Sequence, residues 1–335
     1  MDRLTELYGS PDRSVSLSYS RLSDFDRNGP KVLLKRTFIN NDGEAIKIGS
    51  LVDDLLLDRT AYNEKYFIFD GAKPTATLGK LCDIILTNYR EVPDQDQILE
   101  IIRDNSFWKR SKDEVVIGNF DNPEFWNYIK AKMKATKLQL ITTEELFRAQ
   151  AICDVLLTHP YSKSVFNNRL DNHNQFKFEM DYRGFKFRGI VDKMIINHEE
   201  KTIQLIDLKT GKAPAKSFTS SFINWRYYLQ EAIYMKAFDF ICEQLNLEGY
   251  KLLPFKFLYI SRGEKIPLLY TVNTKWHEAA IEGFQTTEGY TYRGLDEILD
   301  EVEWHYDNNE FEVPKFMKES NGDISLDDSF IVLKK

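Results

Sequence analysis

QFKFEMDYRGFKFRGIVDKMIINHEEKTIQLIDLKTG, residues 175–211, decides the reading of this chain. Apolar and polar residues alternate with period two through most of it, the mark of half-buried strands. Phe176, Phe178 and Met180 share one strand face. The turn Tyr182-Arg183-Gly184-Phe185 leads to a second strand, through Phe187, Ile190 and Val191 to Met194, Ile195 and Ile196. A second turn, Asn197 to Lys201, leads to a third strand, TIQLIDL. The pattern predicts a β-meander.

Outward from it the spacing becomes helical. ITTEELFRAQAICDVLLTHP (141–160) opens on a capping box, Thr142 with Glu145 three residues on, and Pro160 closes the helix. AIKIGSLVDDLLLD (45–58), residues 75–105 and residues 123–137 carry further helical patterns, and SLSYSRLSDF (16–25) reads as a turn into a short helix capped by Ser20 or Ser23. Downstream, FINWRYYLQEAIYMKAFDFICEQL (222–245) reads as one long helix, PFKFLYIS (254–261) as an apolar strand, and LDEILDEVEWHY (295–306) as the core of a last helix. The order predicts an α/β fold: a central mixed β-sheet flanked by helices, with an N-terminal helical region. The expected boundaries are a mainly helical region 1–140 packing on a core 141–315, and a polar tail 316–335.

Composition narrows the function classes. The 335 residues are 42% hydrophobic, enough for a sizeable core. No apolar run reaches the roughly 18–20 residues that cross a bilayer. No secretory signal is apparent at MDRLTELYGSPDRS. The three cysteines, Cys82, Cys153 and Cys242, are far apart and form no CxxC pair, which argues against a zinc ribbon. They read as reduced thiols of a cytoplasmic protein, in the host cytoplasm if the chain is phage-encoded. The net charge of −7 argues against nucleic-acid binding over the whole surface. Between Lys177 and Arg226, however, ten basic residues face six acidic ones, which leaves room for a local basic groove.

The chemistry sits at two strand ends. Asp192 follows the apolar run GIV, and Asp207 and Lys209 end LIDLK. Residues two apart on a strand point the same way, so Asp207 and Lys209 can face one site. If the two strands pair antiparallel, Asp192 lies opposite Asp207. Two carboxylates this close repel unless a cation sits between them, and hard oxygen ligands suit Mg²⁺ or Mn²⁺. Such an ion activates water and steadies phosphate charge. The lysine can orient or deprotonate that water, or steady the developing charge. Glycine at 211 lets the chain turn.

GIVDK, then IDLKTG, then YYLQEAIYMKAF together resemble the RecB-like branch of the PD-(D/E)XK nucleases, and most of all the RecE-like phage exonucleases. That pattern is an Asp after a glycine-led strand, D/E-x-K, and Q-x-x-x-Y on the next helix, matched here by Gln230 and Tyr234. The resemblance implies a Mg²⁺- (or Mn²⁺-) dependent DNA exonuclease of phage-type recombination, repair or replication. It implies metal ligation by Asp192, Asp207 and the Leu208 backbone carbonyl, with Lys209, Gln230 and Tyr234 completing the catalytic set. Its substrates would be double-stranded DNA ends or single strands, and its implied partner is a single-strand-annealing recombinase. Contacts to DNA are expected from Arg188, Lys212, Trp225 and Arg226. SYSRLSDFDRNGPKVL (18–33) is similar to the Ser-rich opening of these enzymes. The helix that usually carries a metal-binding His has Asp53 in its place, in GSLVD, so Asp53, Glu179 and His159 compete for that role. His173, His198, His277 and His305 read as surface residues. Two other functions stay open: a nuclease fold that binds DNA or assembles without cleaving, and a site-specific endonuclease.

Overall fold

The computed structural model describes residues 11–34, 44–135 and 138–323. They fall into two compact units, Glu44–Val155 and the remainder.

Glu44–Val155 is mostly helical. Its helices include Glu44–Leu57, Ala76–Asn88, Gln95–Asp104 and Pro123–Ala135, and its two short strands, β1 (Tyr66–Phe69) and β2 (Gln139–Thr142), pair in parallel. The core gathers Leu81, Ile85, Ile98, Phe125, Ile129 and Leu140. The expected capping box is present: Glu145 N–H donates to Thr142 Oγ1 at 3.1 Å, and Thr142 N–H donates back to Glu145 Oε2 at 2.8 Å.

The other unit is built on the sheet that the alternation predicted. β3 (Asp171–Tyr182), β4 (Phe185–Asn197) and β5 (Thr202–Gly211) form the antiparallel meander. β7 (Lys256–Ser261) then joins β5 in parallel, and β8 (Pro267–Thr271) pairs antiparallel with β7. A short β6 (Lys251–Leu252) also adds to β5, making six strands in mixed order. Arg183 at φ 50 and Gly184 at φ 73 make the β3–β4 turn. Asn197 Oδ1 accepts the N–H groups of Glu199 and Glu200 in the β4–β5 turn.

A parallel step from β5 to β7 needs a crossover, and helices supply it. The expected single helix over 222–245 is instead three: Phe218–Asn224, Tyr227–Lys236 and Phe238–Leu245. The first break has a local cause. Arg226 takes a left-handed conformation at φ 61, with its Nε 2.7 Å from Asp26 Oδ2. The freed Trp225 carbonyl accepts from Tyr19 Oη at 2.6 Å. Leu229, Ala232, Ile233 and Ile241 of the crossover then pack on Ile203, Leu205, Phe255 and Phe257 in one core.

Ser18, rather than Ser20 or Ser23, caps the helix Tyr19–Asn28 by accepting from Arg21 N–H. His305 is fully buried, contrary to its reading as a surface residue. It extends the apolar stripe Ile298–Val302 along the helix Leu295–Asn308, and its Nδ1 bonds the Glu310 carbonyl. His277 is partly buried and pairs with Glu231 at 2.9 Å. Among the described residues no helix is long and apolar enough to cross a membrane.

One feature of the sheet prepares the site. The β4–β5 ladder runs from Asn197↔Thr202 to Lys193↔Ile206 and stops, although both strands continue. Beyond that point Leu17 takes the β4 edge, donating to the Lys186 carbonyl and accepting from Arg188 N–H. The strands therefore fork, with Asp192 on one arm and Asp207 on the other. Close packing holds the β4 arm. A Cβ on Gly189 would lie 2.3 Å from the Phe178 ring and 3.0 Å from that of Tyr234. Gly189→Val should therefore cost about 1–3 kcal/mol in urea unfolding. A loss under about 0.5 kcal/mol would mean the two rings yield freely.

Candidate active site

Asp207 and Lys209 leave β5 on the same side, as period-two geometry requires. Asp207 is only 2% exposed. Lys209 Nζ lies 2.6 Å from its Oδ2 and 4.7 Å from the centre of the Tyr227 ring. Gln230 Nε2 donates to Oδ1 at 2.5 Å. Burial pulls the Lys209 ammonium downward in pKa, but Asp207, together with Tyr227, Tyr19 and Asp192, outweighs it and holds the group well above the usual lysine range.

Asp192 sits on the other arm. Its Oδ2 accepts the Leu208 N–H at 2.8 Å, where an unbroken ladder would have offered a backbone carbonyl, and its Oδ1 accepts Gln175 Nε2 at 3.0 Å. In a strand, a residue's C=O points the same way as its N–H, so the Leu208 carbonyl also faces the fork. Tyr234 Oη donates to the Ile190 carbonyl at 2.8 Å, tying the crossover helix to the β4 arm. Burial pushes the Tyr234 phenol upward in pKa, with the charges of Asp207 and Asp192 adding to the effect.

The fork thus brings Asp192, Asp207, Leu208, Lys209, Gln230 and Tyr234 together. The sequence reading missed Tyr19 and Tyr227, which flank the lysine. Tyr227, Gln230 and Tyr234 stand at i, i+3 and i+7, so a helical-face argument would have found Tyr227. Nothing local marks Tyr19. Its ring is 6.1 Å from that of Tyr227, and burial, with the Tyr227 and Asp207 charges, raises its phenol although Lys209 opposes this.

Asp53 is on the helix Glu44–Leu57 of the other unit. His159 Nδ1 accepts the Tyr161 N–H in the turn after its helix. Glu179 is exposed opposite Arg188 in the β3–β4 register. Both line a cleft of about 550 Å³ with Ser18, Ser20, Lys177 and Tyr234. Trp225 is 53% exposed with the Arg27 guanidinium 5.4 Å from its ring centre, Arg226 is engaged by Asp26, and Lys212 is exposed just past β5.

The donors suit a small hard cation. Asp207 Oδ2 is buried and lies outside hydrogen-bond geometry with every donor, its ion pair to Lys209 included. The ammonium compensates the charge, and a carboxylate oxygen has a further lone pair with which to meet a cation. Among the described residues no group of three or more His, Cys, Asp or Glu assembles for a metal. Two carboxylates and a carbonyl remain, an oxygen set that fits Mg²⁺ or Mn²⁺, since Mg²⁺ keeps several waters and needs only one or two protein carboxylates.

A family model described as the PD-(D/E)XK nuclease superfamily matches residues 16–303. No curated protein matches the chain. Among solved structures, a crystal structure from Eubacterium rectale, of a protein itself only proposed to be an exonuclease, is 16% identical and superposes with a TM-score of 0.46, over 100% of this chain and 96% of that one.

Gln230→Leu removes the donor from buried Asp207 Oδ1. Unfolding in urea with EDTA present should show a loss of about 1.5–3 kcal/mol. Unchanged stability would mean that water takes over the amide's role.

Proposed function

The chain belongs to the PD-(D/E)XK nuclease superfamily, and we propose that it is a divalent-metal-dependent nuclease that hydrolyses DNA phosphodiesters at the β4–β5 fork. The observation that carries this reading is Asp207: a buried carboxylate with one oxygen gripped by Gln230 and the other in no hydrogen bond, beside a lysine and facing Asp192 across the fork.

Asp192, Asp207 and the Leu208 carbonyl would hold Mg²⁺ (or Mn²⁺). When bound, that ion supplies an acidified water and neutralises charge on the phosphate. The chain's own residues do the rest. Gln230 fixes the rotamer of Asp207. The Lys209 ammonium, held over Tyr227, is poised to steady negative charge on the phosphate oxygens. Tyr234 keeps the β4 arm at its distance from the crossover helix. The cleft beside Tyr234 offers two cations, Lys177 and Arg188, and two serine hydroxyls along which a strand can run. Trp225, exposed under Arg27, is a platform on which an unpaired base can stack. Lys212 adds positive charge past the end of β5, and Arg226 anchors the joint that presents Trp225.

The likeness of GIVDK, IDLKTG and QxxxY to the RecB-like and RecE-like enzymes supports the finer reading. On it, the enzyme is an exonuclease acting on double-stranded ends or single strands in phage-type recombination, repair or replication, alongside a single-strand-annealing recombinase.

With Mg²⁺ and end-labelled linear DNA, the wild-type protein should release nucleotides, whereas Asp207→Asn and Lys209→Met should be slower by about 10³-fold or more. Undiminished cleavage by both variants would overturn the assignment, and cutting of closed circular DNA would make the enzyme an endonuclease. In DNA-binding titrations with Ca²⁺ at varied salt, Lys177→Ala and Arg188→Ala should each flatten the salt slope by about 1. Unchanged slopes would move the strand out of this cleft.

A further inference from the structure

Gln175 stands inside β3 at φ 50. A non-glycine side chain is strained in that left-handed region, and the usual tolerant residues there are Gly and Asn. The strain is not in a turn. The register pairs Asn174↔Lys193 and Phe176↔Val191, so Gln175 faces Asp192 at a step that the ladder skips.

The alternation of β4 changes phase at the same step. Phe185, Phe187 and Val191, all odd-numbered, are buried in one core with Ile203 and Leu205, and so are Met194 and Ile196, both even-numbered. Strict alternation would send the two sets to opposite faces. The phase therefore slips by one between Val191 and Met194, opposite Gln175. At the slip the carboxylate of Asp192 meets the Leu208 N–H, a group that points along the plane of the sheet rather than out of its face. Gln175 Nε2 bonds the other carboxylate oxygen at 3.0 Å. Next to it, Asn174 Oδ1 accepts from Lys193 Nζ at 3.0 Å, securing the residue that follows Asp192.

We propose that Gln175 is a positioning residue for the nuclease centre: its left-handed backbone sets the phase slip that turns Asp192 into the fork, and its amide holds the Asp192 carboxylate there. Gln175 acts only through Asp192 and touches no substrate. The strain is retained at this position because the geometry it enforces is functional. The proposal rests on Asp192 being a metal ligand, as argued above. The partners that orient such ligands commonly change metal affinity or activity by about 10–100-fold when removed.

The test uses the full-length protein and two variants. Gln175→Gly keeps the left-handed backbone and removes the amide. Gln175→Asn also tolerates that backbone, but its amide is one methylene short of Asp192. Each is measured for thermal unfolding, for hydrogen exchange at the Leu208 amide without metal, for Mn²⁺ affinity by calorimetry without DNA, and for kcat and KM on DNA. Both variants should melt at or above the wild-type temperature. In both, the Leu208 amide should exchange about tenfold faster or more, while the Gln204 and Ile206 amides of the intact ladder keep their protection. The Mn²⁺ Kd should rise by about 10–100-fold, with kcat falling and KM unchanged. Wild-type Leu208 protection and Mn²⁺ affinity in both folded variants would overturn the proposal and leave the nuclease reading intact. If the wild-type protein bound no Mn²⁺, the metal reading would fail, and the Leu208 exchange would still decide whether Gln175 positions Asp192.

Discussion

A carboxylate that is almost wholly removed from water, Asp207, is the constraint around which this fold is arranged. An isolated buried charge costs several kcal/mol, so it persists only where partners surround it. Here they arrive from two directions. Lys209 comes from the same strand face and Gln230 from the crossover helix, while Asp192, a second anion, stands on the far arm of the fork, bound to the Leu208 N–H. Each of them depends on a larger element being in place. β5 must be central, between β4 and β7, to bury Asp207. The crossover helix must lie flat on Leu205 and Phe257 to bring Gln230 within reach. The β4–β5 ladder must end early so that Asp192 and Leu208 meet through a side chain.

On the proposed reading, the cleft beside the fork reconciles an acidic chain with a polyanionic substrate. The charge of −7 belongs to the whole chain. The opening beside Tyr234 is lined by Lys177 and Arg188 against Glu179. Within the roughly 8 Å screening length at physiological salt, local field rather than net charge governs the approach of a phosphate. Rigid strands and a buried helix carry the groups that handle charge, and the exposed aromatic Trp225 sits at a helix joint.

Much of this was legible in the chain. Period-two alternation predicted β3, β4 and β5 and both turns. The two-residue spacing of Asp207 and Lys209 put them on one face, and the four-residue spacing of Gln230 and Tyr234 did the same on the helix. Those are local rules, and they held. What failed to show depends on tertiary partners. The helix over 222–245 breaks because Asp26 holds Arg226 and Tyr19 takes the Trp225 carbonyl, both from about 200 positions away in sequence. Tyr19 reaches the lysine for the same reason. Glycine at 211 was expected to serve a turn. Its φ is unremarkable, and it is needed for space, because a Cβ there would lie 2.2 Å from the Tyr259 hydroxyl. The strain at Gln175 leaves no compositional mark, since glutamine is an ordinary strand-edge residue.

The central claim is that Asp192 and Asp207 share a cation. Anomalous diffraction from crystals soaked in Mn²⁺ tests it most directly. The account predicts a single strong peak at the fork, about 2.1 Å from a carboxylate oxygen of each aspartate and from the Leu208 carbonyl. Crystals that take up Mn²⁺ elsewhere, or not at all, at concentrations that support DNA cleavage would contradict it.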